Sequence, residues 1–172
     1  QKTAYEISTR DWSSDVCSSD LTGYLGATHA ACMAELGHDV VGLDNDAAKV
    51  AALSSGEVPF WEPGLDDVLR RGLDSGRLRF TTDPAEVAGA TVHFICVGTP
   101  QRADSPAADL TQVHAAVDAL LPQLSEGDLV VGKSTVPVGT AARLADVVST
   151  RDRKSTRLNS SHEWISRMPS SA

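Results

Sequence analysis

From residue 24 onward the apolar positions switch repeatedly between helical and strand spacing. Residues 24–36 place Gly26, Ala27, Ala30, Ala31 and Ala34 along one helix, and Gly37 predicts its stop. Residues 39–43 (DVVGL) form a short apolar run of strand length, and 46–53 return to helical spacing. The segment GEVPFWEPG, residues 56–64, is punctuated by Pro and Gly and reads as a loop. A helix over 65–73 follows, with Arg70 and Arg71 near the negative end of its dipole. Residues 77–81 predict a strand; Asp83 then suits an N-cap and Pro84 a first helical position, opening a short helix through Ala88. TVHFICV, residues 91–97, is almost continuously apolar, as expected of a strand covered on both faces. A loop over 98–110, a helix over 111–124, a strand over 128–133 and a helix over 139–148 complete the pattern.

Strands alternating with helices predict an α/β fold, a doubly wound parallel sheet with right-handed crossovers. The expected strand order is 3-2-1-4-5, with ligands at the carboxyl ends of the strands where the order reverses. The first strand belongs before Thr22 and at the centre of the sheet. The residues there read SSDVCSSD, which is no apolar run.

The two termini account for that break. WSSDVCSSDL, from Trp12 to Leu21, can be encoded as TGG AGT TCA GAC GTG TGC TCT TCC GAT CT. The reverse complement, read one base in, is GAT CGG AAG AGC ACA CGT CTG AAC TCC. It translates to DRKSTRLNS, the sequence from Asp152 to Ser160. Two ends of one natural protein have no reason to encode opposite strands of one oligonucleotide, and both resemble a translated sequencing adapter. Residues 1–21 and 151–172 are therefore expected to be non-native segments flanking a domain over 22–150, and are set aside from fold reasoning.

The chain has 172 residues, and the part inside these ends is about 130 residues, enough for one core. A formal net charge of −8 argues against a nucleic-acid surface and for a cytoplasmic protein. No apolar run approaches the length of a membrane span. Cys17 lies in the adapter-like segment, while Cys32 and Cys96 have neither C-x-x-C spacing nor a His-rich partner, so both are expected to be reduced, buried thiols and no metal site is expected.

The candidate chemistry sits at TGYLG, residues 22–26. Glycines let a chain turn tightly after a strand and approach a pyrophosphate at the amino end of the next helix. Gly23 and Gly26 fit the second and third glycines of G-x-G-x-x-G; Leu21 stands where the first should be. Asp44 ends the second predicted strand about 20 residues on, where a carboxylate can accept both hydroxyls of an adenosine ribose. Asn45 follows it and no Arg is near, which favours NAD over NADP. The same Asp could instead cap a helix, and a damaged glycine motif alone is a weak signal. His29, His38, His93 and His114 share no pattern and are expected to be structural.

TGYLGATHAACMAELGHDVVGLDNDAAKV, VPFWEPGL, FICVGTP and GKSTVPVGT, in this order, resemble the N-terminal half of the UDP-glucose/GDP-mannose dehydrogenase family over residues 22–148. The resemblance implies a Rossmann-like fold, with Leu25 against the cofactor, Asp44 on the ribose, Lys49 at its polar edge, and Thr99 and Thr135 lining the site from strands 4 and 5. Trp61 and Glu62 match the family, and a turn-stabilising part is the reading given to them. The aromatic residue before EPGL points to members acting on UDP-glucose, with the overall reaction UDP-glucose + 2 NAD to UDP-glucuronate + 2 NADH. The resemblance also implies a homodimeric or larger parent, and a cysteine nucleophile in the second half that traps the aldehyde. Neither Cys32 nor Cys96 matches that motif, so no catalytic residue is expected within this chain and the fragment alone is expected to be inactive. Two alternatives stand beside this: a non-enzymatic NAD- or nucleotide-binding module of the same architecture, and the cofactor domain of another sugar or hydroxyacid dehydrogenase. With Ser and Asp in the central strand and Leu21 in the turn, the chain as written is expected to fold poorly and to bind NAD weakly or not at all.

Overall fold

A computed structural model describes residues 16–20, 24–58, 62–125 and 128–152. Five strands form one parallel sheet: β1 Val16–Asp20, β2 Asp39–Leu43, β3 Leu78–Thr81, β4 Val92–Ile95 and β5 Leu129–Gly132. Their order is β3-β2-β1-β4-β5, the order expected from the alternation. The helices are α1 Tyr24–Glu35, α2 Ala47–Ser54, α3 Leu65–Asp74, α4 Thr111–Leu120 and α5 Thr140–Asp152. The fold is thus a doubly wound α/β sheet.

The slot that lacks an apolar sequence is filled by the backbone of VCSSD. β1 runs in register with β2 (Ser18↔Val41, Ser19↔Gly42) and with β4 (Ser18↔His93, Ser19↔Phe94). The central strand of the sheet is therefore the adapter-like segment, in parallel pairing on both sides.

Period-2 alternation divides the core between the two faces of the sheet. Val40 joins a cluster with the alanines of α1, Leu53 of α2 and Leu65 and Leu69 of α3. Its neighbour Val41 joins the opposite cluster, with Val113 and Val117 of α4 and Leu144 and Val148 of α5. On α1 the small side chains Ala27, Ala30, Ala31 and Ala34 are all buried, and they let the helix lie close to the sheet. A Cβ on Gly72 of α3 would stand 3.1 Å from the Leu78 side chain and 3.3 Å from the Ala34 Cβ, so a larger residue would have to push β3 or α1 back slightly.

Capping explains where the helices begin and end. Gly37 takes φ +100°, its N–H donates to Ala34 O (3.0 Å) and the His38 N–H donates to Met33 O (3.2 Å), which closes α1 as a Schellman turn. Asp46 caps α2 by accepting from the amides of Ala48 (3.0 Å) and Lys49 (3.2 Å), so the helix starts one residue later than its apolar pattern suggests. Asp83 accepts from the Ala85 amide (2.9 Å), but the turn it opens, Pro84–Val87, is a 3-10 helix rather than an α-helix. The helix expected over 111–124 ends at Leu120, and Pro122 continues it only as a 3-10 turn over Leu121–Gln123. In the WEPGL segment the Leu65 amide donates to Glu62 O (3.2 Å) and Gly64 adopts φ +81°, a tight entry to α3; Trp61 lies outside the described residues.

One expectation is corrected. Cys96 is buried, but Cys32 is exposed, because the core face of α1 is taken by its four alanines and Cys32 lies off that face.

Candidate functional site

The carboxyl ends of β1, β2 and β4 and the amino end of α1 converge where the strand order reverses. Gly23 lies outside the described residues. Gly26 is buried in the first turn of α1, and Leu25 beside it is 43% exposed. The first turn of α1 carries no acidic residue, so its free amides and positive dipole end are not offset by a neighbouring carboxylate. This is an electrostatic setting that suits a pyrophosphate.

Asp44 follows β2 directly and is 0% exposed. Its amide donates to Thr81 O at 3.1 Å, which fixes the backbone against the end of β3. Its Oδ1 accepts from the Asp46 amide at 2.9 Å, and its Oδ2 accepts from Lys49 Nζ at 2.8 Å. A buried carboxylate needs such partners, because leaving a charge unpaired away from water is costly. Each oxygen keeps a further lone pair in this arrangement, so the group can still accept from a ligand hydroxyl. Lys49 reaches Asp44 from the first turn of α2, five residues on; the two residues assigned from resemblance to one ribose edge do meet at one place.

Thr99 and Thr135 also come together. Thr99 Oγ1 donates to Thr135 O at 2.8 Å, joining the loop after β4 to the loop after β5. Ser134 Oγ reinforces the junction by donating to Val97 O at 2.7 Å. The rest of the loop after β4 is folded on itself, with the Arg102 amide donating to Ala107 O (2.9 Å) and the Asp109 amide to Pro100 O (2.7 Å). Donation from Thr111 to the Asp109 carboxylate holds that group below the usual carboxylate range.

A cavity of about 200 Å³ opens beside Asn45, between the end of β2, the turn after β3 and α4. Leu43, Pro84, Ala115, Ala116 and Ala119 give it apolar walls, and Asn45, Thr82 and Gln112 supply uncharged polar groups. Among the described residues no ionised side chain lines it, so it suits a flat neutral heterocycle better than a phosphate. Thr82, Gln112 and the α4 alanines were not singled out by the sequence. The available signal was positional: Asn45 and Thr82 lie just past the ends of β2 and β3, where ligands bind in such sheets.

The histidines carry no common site. His29 of α1 stacks at 59° and 4.3 Å against Phe94, and its Nδ1 is buried without a hydrogen-bond partner. Burial, with Lys133 adding to it, pushes His29 down to about 4 from the ordinary 6.5. The fold therefore favours neutral His29, while the unfolded chain takes up the proton already near pH 6.5. Stability is complete above that pH and falls as the pH drops from 6.5 toward 4. His29→Gln is expected to flatten thermal melts over this window; an unchanged slope in the variant counts against the assignment. His93 is fully buried, with Nε2 3.6 Å from Asp128 Oδ2 at the amino end of the sheet, away from the cavity.

Among the described residues no group of three or more His, Cys, Asp or Glu could hold a metal ion, and no helix is long and apolar enough to cross a membrane.

Comparison with known proteins agrees with this geometry. The UDP-glucose/GDP-mannose dehydrogenase family, NAD binding domain, matches residues 21–166. UDP-glucose 6-dehydrogenase of Pseudomonas aeruginosa is 48% identical over 127 residues, which are 73% of this chain and 28% of that protein. A UDP-glucose dehydrogenase from the hyperthermophilic archaeon Pyrobaculum islandicum superposes with a TM-score of 0.72 at 40% identity, covering 82% of this chain and 34% of that one. A GDP-mannose dehydrogenase from Pseudomonas aeruginosa, solved as a ternary complex, gives 0.73 at 33% identity over 78% and 32%. The chain thus spans about a third of the length of these relatives or less.

Proposed function

The chain belongs to the UDP-glucose/GDP-mannose dehydrogenase family, as part of its NAD-binding domain, and from that premise we propose that it holds the dinucleotide for a nucleotide-sugar dehydrogenase. The proposed parent reaction is oxidation of UDP-glucose to UDP-glucuronate with two NAD. A cytoplasmic setting and a homodimeric parent belong to the same proposal. The observation that carries this reading is the buried Asp44 carboxylate at the end of β2, beside a cavity whose described lining is apolar or uncharged.

NAD supplies the hydride acceptor. In the proposal the amino end of α1 carries the pyrophosphate, with Gly23 and Gly26 allowing close approach and Leu25 lying against the cofactor. Asp44 accepts from the adenosine ribose, and Lys49 fixes the carboxylate that does so. The purine enters the cavity between Asn45 and α4, its faces against Leu43, Pro84 and Ala119. Thr99 and Thr135 form the rim at the ends of β4 and β5. None of these groups breaks or makes a bond; their work is to bind and orient.

Calorimetry on the full chain, with and without Ser18→Val and Ser19→Val in β1, tests the reading. NAD and ADP-ribose are expected to bind, and nicotinamide mononucleotide to bind far more weakly. Ala119→Leu fills the proposed purine slot and is expected to weaken both adenine-containing ligands about tenfold or more without lowering the melting temperature. Equal binding of ADP-ribose by the Ala119 variant would place the purine elsewhere, and no dinucleotide binding by either chain would remove the proposal.

A further inference from the structure

A lone carboxylate at the end of β2 would repel the 2′-phosphate of NADP. Here the carboxylate is not alone: Lys49 Nζ stands 2.8 Å from Asp44 Oδ2, with Asp44 wholly buried and Lys49 25% exposed. The pair presents little net charge to a ligand at its edge. Asp46 also lies nearby, with its carboxylate tied to the amides of Ala48 and Lys49 at the positive end of α2.

We propose that Lys49 sets how strongly this site discriminates between the two dinucleotides, by neutralising Asp44 and so lowering the repulsion met by a 2′-phosphate. The inference rests on Asp44 facing the adenosine ribose. A phosphate dianion at that ribose lies near both members of the pair, and one unit charge a few ångströms away at a protein surface changes its energy by more than a tenfold affinity step. Lys49 thus makes discrimination shallower than Asp44 by itself would give. Its removal sharpens preference for NAD, even though it also removes a cation from a site that binds a cofactor with a dianionic pyrophosphate.

Lys49→Gln is the informative substitution, because a carboxamide can still donate to Asp44 Oδ2 and the carboxylate keeps a partner. Dissociation constants for NAD and NADP, measured by calorimetry near pH 8 on the full chain with and without the two β1 valines, give the ratio that decides. Lys49→Gln is expected to raise the NADP-to-NAD ratio about tenfold or more, and Lys49→Arg to leave it within about twofold. A ratio unchanged in Lys49→Gln, with NAD still bound, overturns the inference and leaves the dinucleotide site standing. A loss of melting temperature in Lys49→Gln with the ratio unchanged marks Lys49 as structural only and overturns it equally. If the starting chains bind no dinucleotide, the proposed function fails and the inference fails with it.

Discussion

Asp44→Ala is expected to weaken NAD binding by about ten- to a hundredfold, the equivalent of losing a hydrogen bond to a charged group, about 1.5–3 kcal/mol. The substitution removes the only acidic side chain held buried at the end of β2 among the described residues, and with it the acceptor proposed for two ribose hydroxyls. It also removes one partner of Lys49 Nζ and takes the Asp44 carboxylate from the Asp46 amide. Some loss of stability is expected to accompany the loss of affinity. Asp44→Asn separates the two, since a carboxamide retains one acceptor for the Asp46 amide while giving up the charge. Calorimetry with NAD, paired with a thermal melt, measures both. An affinity for NAD that survives Asp44→Ala would show that the ribose is held elsewhere.

Ser18→Val with Ser19→Val is expected to raise the melting temperature by roughly 10 °C. β1 is paired on both sides and lies between two helical layers, the position where parallel sheets carry near-continuous Val, Ile and Leu. Ser has lower strand propensity than Val, by up to about 1 kcal/mol per position, and a strand paired on both sides normally carries β-branched apolar residues. Two positions amount to a sizeable share of the roughly 5–15 kcal/mol that holds a domain together, and each kilocalorie moves the midpoint by a few degrees. The unsubstituted chain is accordingly expected to melt early and broadly by circular dichroism and to bind NAD weakly. A sharp, high-temperature transition in the unsubstituted chain, unmoved by the two valines, would mean that the sheet tolerates VCSSD at its centre.

Much of the fold was legible because each local rule pointed the same way. Gly37 marked the end of α1, Asp83 and Pro84 marked a turn after β3, and the apolar run at 91–97 marked a covered strand. The sheet order followed from alternation and handedness together with the glycine turn of a dinucleotide-binding unit. The departures have physical causes: Asp46 moved the start of α2 by capping it, Pro122 shortened α4, and the alanine face of α1 turned Cys32 outward. In the site, Asp44 was readable from its place at a strand end. Lys49 was placed at the ribose edge by resemblance, and its ion pair with Asp44 was not anticipated, since a helical lysine five residues on is as often solvated as bound. The cavity was not readable, because Thr82 and Gln112 are far from Asn45 in sequence and become neighbours only through two crossovers.

The junction between Thr99 and Thr135 makes the rim of the site mechanically uneven. On one side, Thr99 and Ser134 stitch the ends of β4 and β5 to each other through backbone carbonyls, so those two loops move as one piece. On the other side, the end of β2 meets α2 through the Asp46 cap, the Asp46 amide on Asp44 Oδ1 and the Lys49–Asp44 ion pair. A ligand at this rim therefore lies between one side closed by hydroxyl-to-carbonyl bonds and another whose contacts are charged groups it can compete for.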